Sequence, residues 1–471
     1  MTLMSHGHFN STSKKVPLIK TDYRLIKTKI PAPGTDKILK DLEKYESNSM
    51  HGQLPVIWDK AEGFQVFDAA GNKWIDFTST IFVANAGHGN PRIVKAIKRI
   101  IDKPLLHTYT FPSLERRDYI KYLIENTPPQ FEKAFLVSAG TEATEAALKL
   151  MRLTGVKRGK RRPGIIAFEG NWHGRTLGAQ MMSWNPKQKE WIGYLDPNIF
   201  HLPFPYPWRP EAIKNPAKYF EENLKKLCQE KGLNPKKDIT GIMLETFQGW
   251  GAIFYPKTFV KAVEKFAKEN EVVLAFDEMQ SGFGRTGKLF GYMHYDVEPD
   301  LLACGKGAGS GVPLAVVLGR KEIMDATEIG SMSSTHSANP LVCAVGQANL
   351  ETLIKDNLTE NSKKLGEIFH KKLDEIKTRH QKIVSDVCGQ GLLAALIFTK
   401  GQERRPLNKL CDAIAEKAMQ KGLLVVHTGR ESIKLAPPLI INKAALMEGL
   451  ETLEQAIDET LNEQPDLIKV S

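Results

Sequence analysis

Residues 272–280 read VVLAFDEMQ, an uninterrupted apolar run that ends in two carboxylates. Such a run is typical of a strand that is buried on both faces of a parallel sheet. A carboxylate at the end of a buried strand is costly unless a cation faces it. Asp277 therefore either holds a cationic group or is neutralised by Arg285 in the loop that follows, and the sequence leaves both interpretations open.

A second apolar run ends at a lysine. Residues 301–311 read LLACGKGAGSG, so Lys306 stands between glycines just beyond a predicted strand. Desolvation there lowers the pKa of a lysine and favours its reaction with a carbonyl group as a Schiff base. The interval from Asp277 to Lys306 is long enough for one crossover connection, and functional residues collect at the carboxyl ends of parallel strands. We therefore expect both side chains at one edge of the sheet.

The pattern around these strands predicts the fold. Apolar runs alternate with helix-length segments from about residue 91, and the predicted strands are 134–137, 164–168, 241–244, 272–276 and 301–304. This alternation predicts an α/β fold whose large domain has a mostly parallel, doubly wound sheet. A helix from Pro340, strands at 384–386, 392–397 and 423–427, and a last helix at 443–461 predict a smaller α+β C-terminal domain.

The first 50 residues are polar and broken by prolines, which predicts an extended arm with one helix at 35–45. Alternating runs at 64–68 and 73–77 flank a Gly-Asn turn, the pattern of a β-hairpin. Arms of this kind often lie across a partner subunit. The predicted domains are 1–80 for the arm and the small antiparallel sheet, 81–340 for the large domain and 341–471 for the C-terminal domain.

The composition is that of a folded protein. Of the 471 residues, 42% are hydrophobic and 25% are charged, and the formal net charge is +11. No nucleic-acid-binding motif accompanies this charge and the five cysteines are scattered, so we predict no nucleic-acid partner, disulfide framework or metal site. The N-terminus lacks the apolar segment of a signal peptide, and no stretch is long enough to span a membrane. These features predict a cytoplasmic protein with no membrane association.

One dense basic run, KRGKRR, occupies residues 157–162. Its setting between a glycine and a Pro-Gly pair favours a solvated loop between a helix and a strand over a docking site for an acidic partner. The sequence does not decide its role.

Two further motifs follow predicted strands. Residues 138–145 read SAGTEATE and open a helix, so their N–H groups could approach a phosphate, although a helix cap at Ser138 or Thr141 explains the motif equally well. Residues 171–176 read NWHGRT. Their aromatic ring and arginine could stack on a flat ring and hold a carboxylate, or they could form a packed loop with a surface arginine.

In this order, the four motifs resemble those of the class III (omega) aminotransferases, which are fold type I enzymes dependent on pyridoxal 5′-phosphate (PLP). The resemblance extends from about residue 50 to about residue 460. It implies the PLP fold type I architecture, PLP as cofactor and a homodimer with shared active sites.

The resemblance also implies roles for individual residues. Lys306 would bind the cofactor as a Schiff base, Asp277 would pair with its pyridine nitrogen, and Gln280 would reach its phenolic oxygen. Lys306 and Asp277 would thus be the catalytic residues. The other implied cofactor-binding residues are Gly140 and Thr141 in the phosphate turn, Trp172 and His173 at the ring, and Thr335, which would cross the dimer interface to the phosphate in the partner subunit.

Two departures from the family pattern bear on the substrate. Trp250 stands where many glutamate-using members carry a second Glu, and Cys388 stands where they have an Arg that binds the α-carboxylate. Because both halves of this charge pair are absent, we expect a more apolar pocket on that side, with Trp250 in contact with substrate. Arg175 is then the residue expected to bind a carboxylate.

The implied reaction is reversible amino transfer between an amine or ω-amino acid and a keto acid or aldehyde. A racemase or aminomutase of the same family is the alternative, because reprotonation at the substrate carbon requires no new catalytic residue. A non-catalytic anion-binding protein that uses the basic run is the second alternative.

Overall fold

The structure is a computed structural model that describes residues 9–469. The chain packs into two compact units, which we describe separately. The terminal unit comprises the described parts of 1–90, 250–252 and 358–471, and the large unit comprises 91–249 and 253–357.

The strands are two to seven residues long. They are β1 (Ile19–Lys20), β2 (Leu25–Ile26), β3 (Lys60–Glu62), β4 (Gln65–Phe67), β5 (Lys73–Asp76), β6 (Lys133–Val137), β7 (Gly164–Phe168), β8 (Ile199–Leu202), β9 (Ile239–Glu245), β10 (Phe247–Gln248), β11 (Ile253–Phe254), β12 (Val273–Asp277), β13 (Leu301–Cys304), β14 (Ala315–Gly319), β15 (Val384–Gly389), β16 (Ala394–Lys400), β17 (Arg405–Pro406), β18 (Leu423–Leu424), β19 (Val426–His427) and β20 (Ser432–Leu435).

Helices occur in both units. They are α1 (Thr35–Tyr45), α2 (Ser79–Phe82), α3 (Pro91–Asp102), α4 (Leu114–Glu125), α5 (Gly140–Lys157), α6 (Leu177–Met182), α7 (Pro210–Lys214), α8 (Pro216–Lys231), α9 (Pro235–Asp238), α10 (Lys257–Glu269), α11 (Lys321–Met324), α12 (Pro340–Lys355), α13 (Leu358–Arg379), α14 (Asn408–Gln420) and α15 (Lys443–Glu463). Short 3₁₀ turns occur at Asn48–Met50, Lys187–Ile192, Gly291–His294, Lys306–Ala308 and Pro465–Ile468.

The large unit is built on one mixed sheet with the strand order β6-β14-β13-β12-β9-β7-β8. Strands β13, β12, β9, β7 and β8 pair in parallel, whereas β14 is antiparallel to both of its neighbours. The predicted fold class is therefore confirmed: the sheet is mostly parallel, with helices between its strands. Strands β8 and β14 were not predicted, and β14 returns directly from β13 without a crossover helix.

Close packing of α5 on this sheet brings the start of that helix to the strand ends. Every residue of β7, β9 and β12 is buried, as expected for strands covered on both faces. At the far end of α5, a Cβ on Gly155 would lie 2.1 Å from Cγ2 of Thr240. This glycine therefore permits a helix-to-sheet distance that no other residue type would allow.

The terminal unit contains two sheets. The first has the order β1-β2-β5-β4-β3, with β18 parallel to β5, and it includes the predicted hairpin of β4 and β5. The second has the order β15-β16-β20-β19, with β17 at one side. Part of the predicted arm thus pairs with its own chain, because β2 is antiparallel to β5, while the predicted helix at 35–45 is present and largely exposed.

The basic run at 157–162 includes the largely exposed loop between α5 and β7, as expected, but Lys160 is an exception. The ammonium group of Lys160 is buried and donates to the carbonyls of Lys236 and Asn270 at 3.1 and 2.7 Å. Burial lowers the pKa of Lys160. Arg161 forms two hydrogen bonds with the buried carboxylate of Asp238, at 2.9 and 2.7 Å. The run therefore ties segments of the large unit together, which weakens the case for an anion-binding protein.

Within residues 9–469, no helix has both the length and the apolar character that crossing a membrane would require.

Candidate active site

Lys306 lies in the turn after β13, at the carboxyl end of the central sheet. Its backbone φ is 46°, in the left-handed region that L-amino acids seldom adopt. Gly305 cannot be replaced without disturbance, because a Cβ there would lie 2.6 Å from Sδ of Met279. This glycine therefore allows the close approach that places the half-buried Lys306.

Burial changes the ionisation of the Lys306 amine. Removal from water lowers its pKa, while the negative charges of Asp277 and Glu245 act in the opposite direction. The net shift is downward, so the uncharged amine is more populated near neutral pH than it is for an exposed lysine. The uncharged form can attack a carbonyl carbon or accept a proton.

Asp277 ends the strand next to β13, and its register places it beside the lysine turn. It pairs in parallel with Ala303 of β13 and with Glu245 of β9. Its buried carboxylate lies 2.9 Å from Nδ1 of His173, and its other oxygen accepts from the N–H of Met279 at 3.0 Å. The sequence suggested Arg285 as a neutralising partner, and the structure gives Asp277 a histidine instead.

His173 is held so that its ring faces Asp277. Its N–H donates to Oγ of Ser183 at 2.8 Å, and its carbonyl accepts from Oγ1 of Thr144 at 2.7 Å. On the far side of the ring, Nε2 lies 3.4 Å from the amide nitrogen of Asn171, whose oxygen accepts from the hydroxyl of Tyr255 at 3.3 Å. These contacts fix the orientation of the imidazole and, through it, of the Asp277 carboxylate.

Glu245 joins the candidate site, although the sequence motifs did not point to it. It is buried at the end of β9, directly beside Asp277 in the sheet. One carboxylate oxygen accepts from the N–H of Trp172 at 2.9 Å, and the other lies 3.5 Å from Nε2 of Gln280. Its position as the last residue of an apolar strand, like that of Asp277, is the signal that could have identified it.

Trp172 and Arg175 form a stacked pair. The guanidinium carbon of Arg175 lies 4.6 Å from the centre of the Trp172 ring, and the arginine is exposed. Stacking of this kind holds a guanidinium in place while its N–H groups stay free to bind an anion. The structure thus joins two of the predicted residues, and Glu245 anchors both through the Trp172 backbone.

The turn at the start of α5 has no side-chain cap at its first residue. Ala139 occupies the cap position, and the carboxylate of Glu142 accepts from the N–H groups of Ser138 and Ala139 at 2.8 and 3.1 Å. A Cβ on Gly140 would lie 2.7 Å from Sδ of Met279, the same atom that limits Gly305. The helix cap suggested for Ser138 or Thr141 is therefore not formed, and the turn packs against the lysine turn.

Thr141 bonds to the loop that carries Arg175. Its hydroxyl lies 2.6 Å from that of Thr176, which in turn donates to Glu145 at 2.7 Å. A Cβ on Gly174 would lie 2.3 Å from Oγ1 of Thr141, so only glycine fits there. The two predicted loops therefore form one connected surface at the start of α5.

Two predicted residues lie elsewhere. Thr335 is exposed in the segment before α12, and its carbonyl lies 2.8 Å from Nε2 of His107. Trp250 belongs to the terminal unit, where the guanidinium carbon of Arg430 lies 3.8 Å from its ring centre. The structure does not place either side chain beside Lys306.

The residues of the large unit fit PLP. This cofactor carries a phosphate, an aldehyde and a pyridine nitrogen that an acid can keep protonated. The turn at Gly140 lies at the N-terminus of an 18-residue helix whose cap residue, Ala139, makes no side-chain hydrogen bond, which favours a phosphate. Lys306 offers a desolvated amine for the aldehyde, and Asp277 offers a buried carboxylate with a fixed orientation for the nitrogen.

Comparison with known proteins supports this fit. The family model for class III aminotransferases matches residues 46–457. The chain is 32% identical over 456 residues to an alanine/serine racemase of Pyrococcus horikoshii, covering 94% of each protein. It is also 32% identical over 431 residues to an ornithine aminotransferase of Brevibacillus brevis, covering 90% of this chain and 99% of that one.

A solved structure of similar fold contains the cofactor. The ornithine aminotransferase of Toxoplasma gondii, with partial occupancy of PLP at its active site, matches with a TM-score of 0.79 at 24% identity, over 91% of this chain and 96% of that one. This likeness shows the fold, and the family match covers most of the sequence. The chain therefore belongs to the class III aminotransferases and is a PLP-dependent aminotransferase.

Proposed function

We propose that Lys306 and Asp277 are the catalytic residues of amino transfer from an amine or ω-amino acid to a keto acid or aldehyde. One observation carries the proposal: a desolvated lysine follows β13 while a buried, oriented carboxylate ends β12, so both lie at the same sheet edge. The test is product analysis. Incubation with ω-amino donors and pyruvate should yield alanine, and preference for glutamate over every ω-amino donor would contradict the substrate class.

When bound, PLP supplies an electron-accepting ring that stabilises negative charge on the substrate carbon. With PLP bound, Nζ of Lys306 would hold the cofactor and, when released by an incoming amine, would accept the proton of the carbon that bears the amino group. The carboxylate of Asp277 would pair with the ring nitrogen, and His173 would hold that carboxylate in its orientation. Thr141 and Gly140 bind the phosphate, Trp172 and Gln280 position the ring, and Lys306 moves the proton.

Arg175 binds the carboxylate of the substrate in this proposal. The stacked guanidinium can bind a carboxylate through two parallel hydrogen bonds, and lysine reproduces neither the stack nor the fork. Arg175→Lys should therefore raise KM for the carboxylate-bearing partner about tenfold or more, the scale of one charge-assisted hydrogen bond. KM for each substrate is measured beside wild type and beside Arg405→Lys, an exposed arginine of the terminal unit.

An unchanged KM for every carboxylate in Arg175→Lys would mean that another group binds the carboxylate. Trp250 contacts the substrate on its apolar side in the proposal, in keeping with the missing charge pair. Its stacking on Arg430 leaves the ring in a fixed position within the terminal unit.

The protein acts as a homodimer with shared sites. Several large apolar side chains are exposed along 101–114, among them Phe111 at 74%, and a second copy would cover them. His107 in this segment contacts the carbonyl of Thr335, the residue expected to reach the partner's phosphate. These exposed apolar groups and the exposed Thr335 support the proposal.

Mixing two impaired variants should restore activity through hybrid dimers. Lys306→Ala and Thr335→Ala damage different halves of one shared site, so each hybrid has one intact site, and equal mixing should give roughly a quarter of the wild-type rate by random pairing. The matched control is a mixture of Lys306→Ala with Asp277→Asn. Because one subunit supplies both residues of a given site, every site in this mixture lacks one of them, and activity should not recover. A monomer by light scattering, or no recovery in the first mixture, contradicts the proposal.

Racemisation is the second candidate activity, and the similarity to the alanine/serine racemase of Pyrococcus horikoshii favours it. Racemisation requires that Lys306 remove the proton from one face of the substrate carbon and that a second donor, such as water, return a proton to the opposite face. One enantiomer of alanine or serine, supplied without any keto acid, tests this. Appearance of the opposite enantiomer indicates a racemase. If it does not appear, and pyruvate supports amino transfer, the racemase activity is rejected and the aminotransferase activity is retained.

A cytoplasmic location completes the proposal. All five cysteines are free thiols, and three of them are buried, as is usual for proteins of a reducing compartment. Fractionation of the native host with an antibody to the protein tests this location.

A further inference from the structure

The Lys306 turn adopts a backbone that its own sequence does not favour. Lys306 has φ of 46° although it carries a long side chain, and it is followed by a single 3₁₀ turn at Lys306–Ala308. Within the turn, the N–H groups of Ala308 and Gly309 bond to the carbonyls of Gly305 and Lys306 at 2.9 and 3.0 Å. These local bonds leave the carbonyls of the next two residues to be satisfied by another part of the chain.

Asn349 of α12 supplies that partner. Its side chain is fully buried, and its Nδ2 donates to the carbonyl of Gly307 at 2.8 Å and to that of Ala308 at 3.0 Å. Both amide hydrogens are thus used on the two residues that follow Lys306. Asparagine has a low helix propensity, and burial of its amide costs free energy unless the amide forms hydrogen bonds. These two bonds therefore account for its place in the helix.

The helix that carries Asn349 is itself fixed. At its start, Oδ1 of Asn339 accepts from the N–H of Val342 at 3.0 Å. One turn before Asn349, a Cβ on Gly346 would lie 2.7 Å from Cζ of Tyr119, so α12 packs tightly against α4. A rigid helix with a donor aimed at the lysine turn can hold that turn in one conformation.

We propose that Asn349 is a positioning residue for catalysis: by binding the carbonyls of Gly307 and Ala308, it keeps Lys306 in the left-handed backbone that directs its amine to the reacting carbon. This proposal rests on the catalytic role of Lys306 proposed above. Asn349 itself touches neither cofactor nor substrate, and it acts through the turn.

The test compares two buried substitutions on the same helix. Asn349→Leu keeps the number and branching of the side-chain heavy atoms and removes both donors. Thr352→Val is the matched control, because Thr352 is also fully buried but its hydroxyl bonds only to the carbonyl of Ala348 within the helix, at 2.8 Å. Both variants lose a buried polar group, so a loss of stability alone does not separate them.

Two readouts separate positioning from a merely structural role. In the loaded enzyme, kcat per bound cofactor should fall about tenfold or more in Asn349→Leu while KM for both substrates changes less than about twofold. In the cofactor-free protein, acetic anhydride labelling of Lys306, followed by mass spectrometry, should change in rate by roughly threefold or more, because the amine is no longer held in one place. Thr352→Val should match wild type in both.

Wild-type kcat together with wild-type Lys306 labelling in Asn349→Leu would overturn the proposal, and so would equal changes in the two variants. If Asn349→Leu does not fold, Asn349→Ala is measured in its place, with the same expected changes in kcat and in the labelling rate. Alanine removes both donors and is small enough to avoid clashes with neighbouring side chains. Borohydride reduction of the wild-type enzyme, with peptide mapping, tests the role of Lys306 separately. A failure at Asn349 is thereby distinguished from a failure of the proposed function.

Discussion

Replacement of Lys306 by alanine is expected to abolish turnover while the protein keeps its fold and part of its affinity for PLP. The phosphate turn at Gly140 and the carboxylate of Asp277 are intact in that variant, whereas the amine that binds the aldehyde and moves the proton is gone. Steady-state rates with an amine and a keto acid, measured beside cofactor absorbance and circular dichroism, check the expectation.

The matched control for Lys306→Ala is Lys160→Ala. Lys160 is a buried lysine whose pKa is likewise lowered by desolvation, but it bonds to backbone carbonyls of the large unit away from the site. We expect that variant to lose stability and to keep kcat per bound cofactor. Near wild-type rates in Lys306→Ala, without any added amine, would refute the catalytic assignment.

Asp277→Asn should lower the rate by roughly a thousandfold or more, about 4 kcal/mol of transition-state stabilisation. An amide has the shape of the carboxylate but no charge, so it cannot keep the pyridine nitrogen protonated. The measurement is kcat/KM for both half-reactions. A loss of less than about tenfold on this scale would make Asp277 structural and the proposed orientation of the ring wrong.

Glu278→Gln is the matched control for Asp277→Asn. Glu278 is the next residue and is fully buried, but its carboxylate accepts hydrogen bonds from Thr246, from Ser281 and from the N–H groups of Gly291 and Tyr292. Burial raises its pKa. Substitution should therefore destabilise the fold and leave kcat per bound cofactor within a few-fold of wild type. Comparison of the two variants thus distinguishes a catalytic carboxylate from a structural one.

Much of the sheet could be predicted from the sequence, because most of its buried parallel strands are separated by helices and all are isolated apolar runs. The antiparallel strand β14 could not, since it follows β13 through a short glycine-rich loop and no crossover helix marks it. Strand β8 is only four residues long and includes His201, so its apolar pattern is weak. The division into three domains stays a prediction.

The site was predicted only in part. Asp277 and Lys306 could be found because each ends an apolar run, but the same rule applied to β9 would have found Glu245, whose position beside Asp277 depends on strand register. The contacts of the basic run could not be predicted. Lys160 and Arg161 bond to groups that lie about eighty or more residues away in sequence, and such pairing follows from packing alone.

Identification of the lysine that carries the cofactor decides whether Lys306 has the proposed role. The holoenzyme is reduced with borohydride, digested and mapped by mass spectrometry, so that the lysine joined to the cofactor is identified. The account predicts that the cofactor is fixed on Lys306 and that Asp277→Asn leaves this attachment in place. Attachment at another buried lysine, such as Lys189 or Lys160, or no attachment to any lysine, would contradict it.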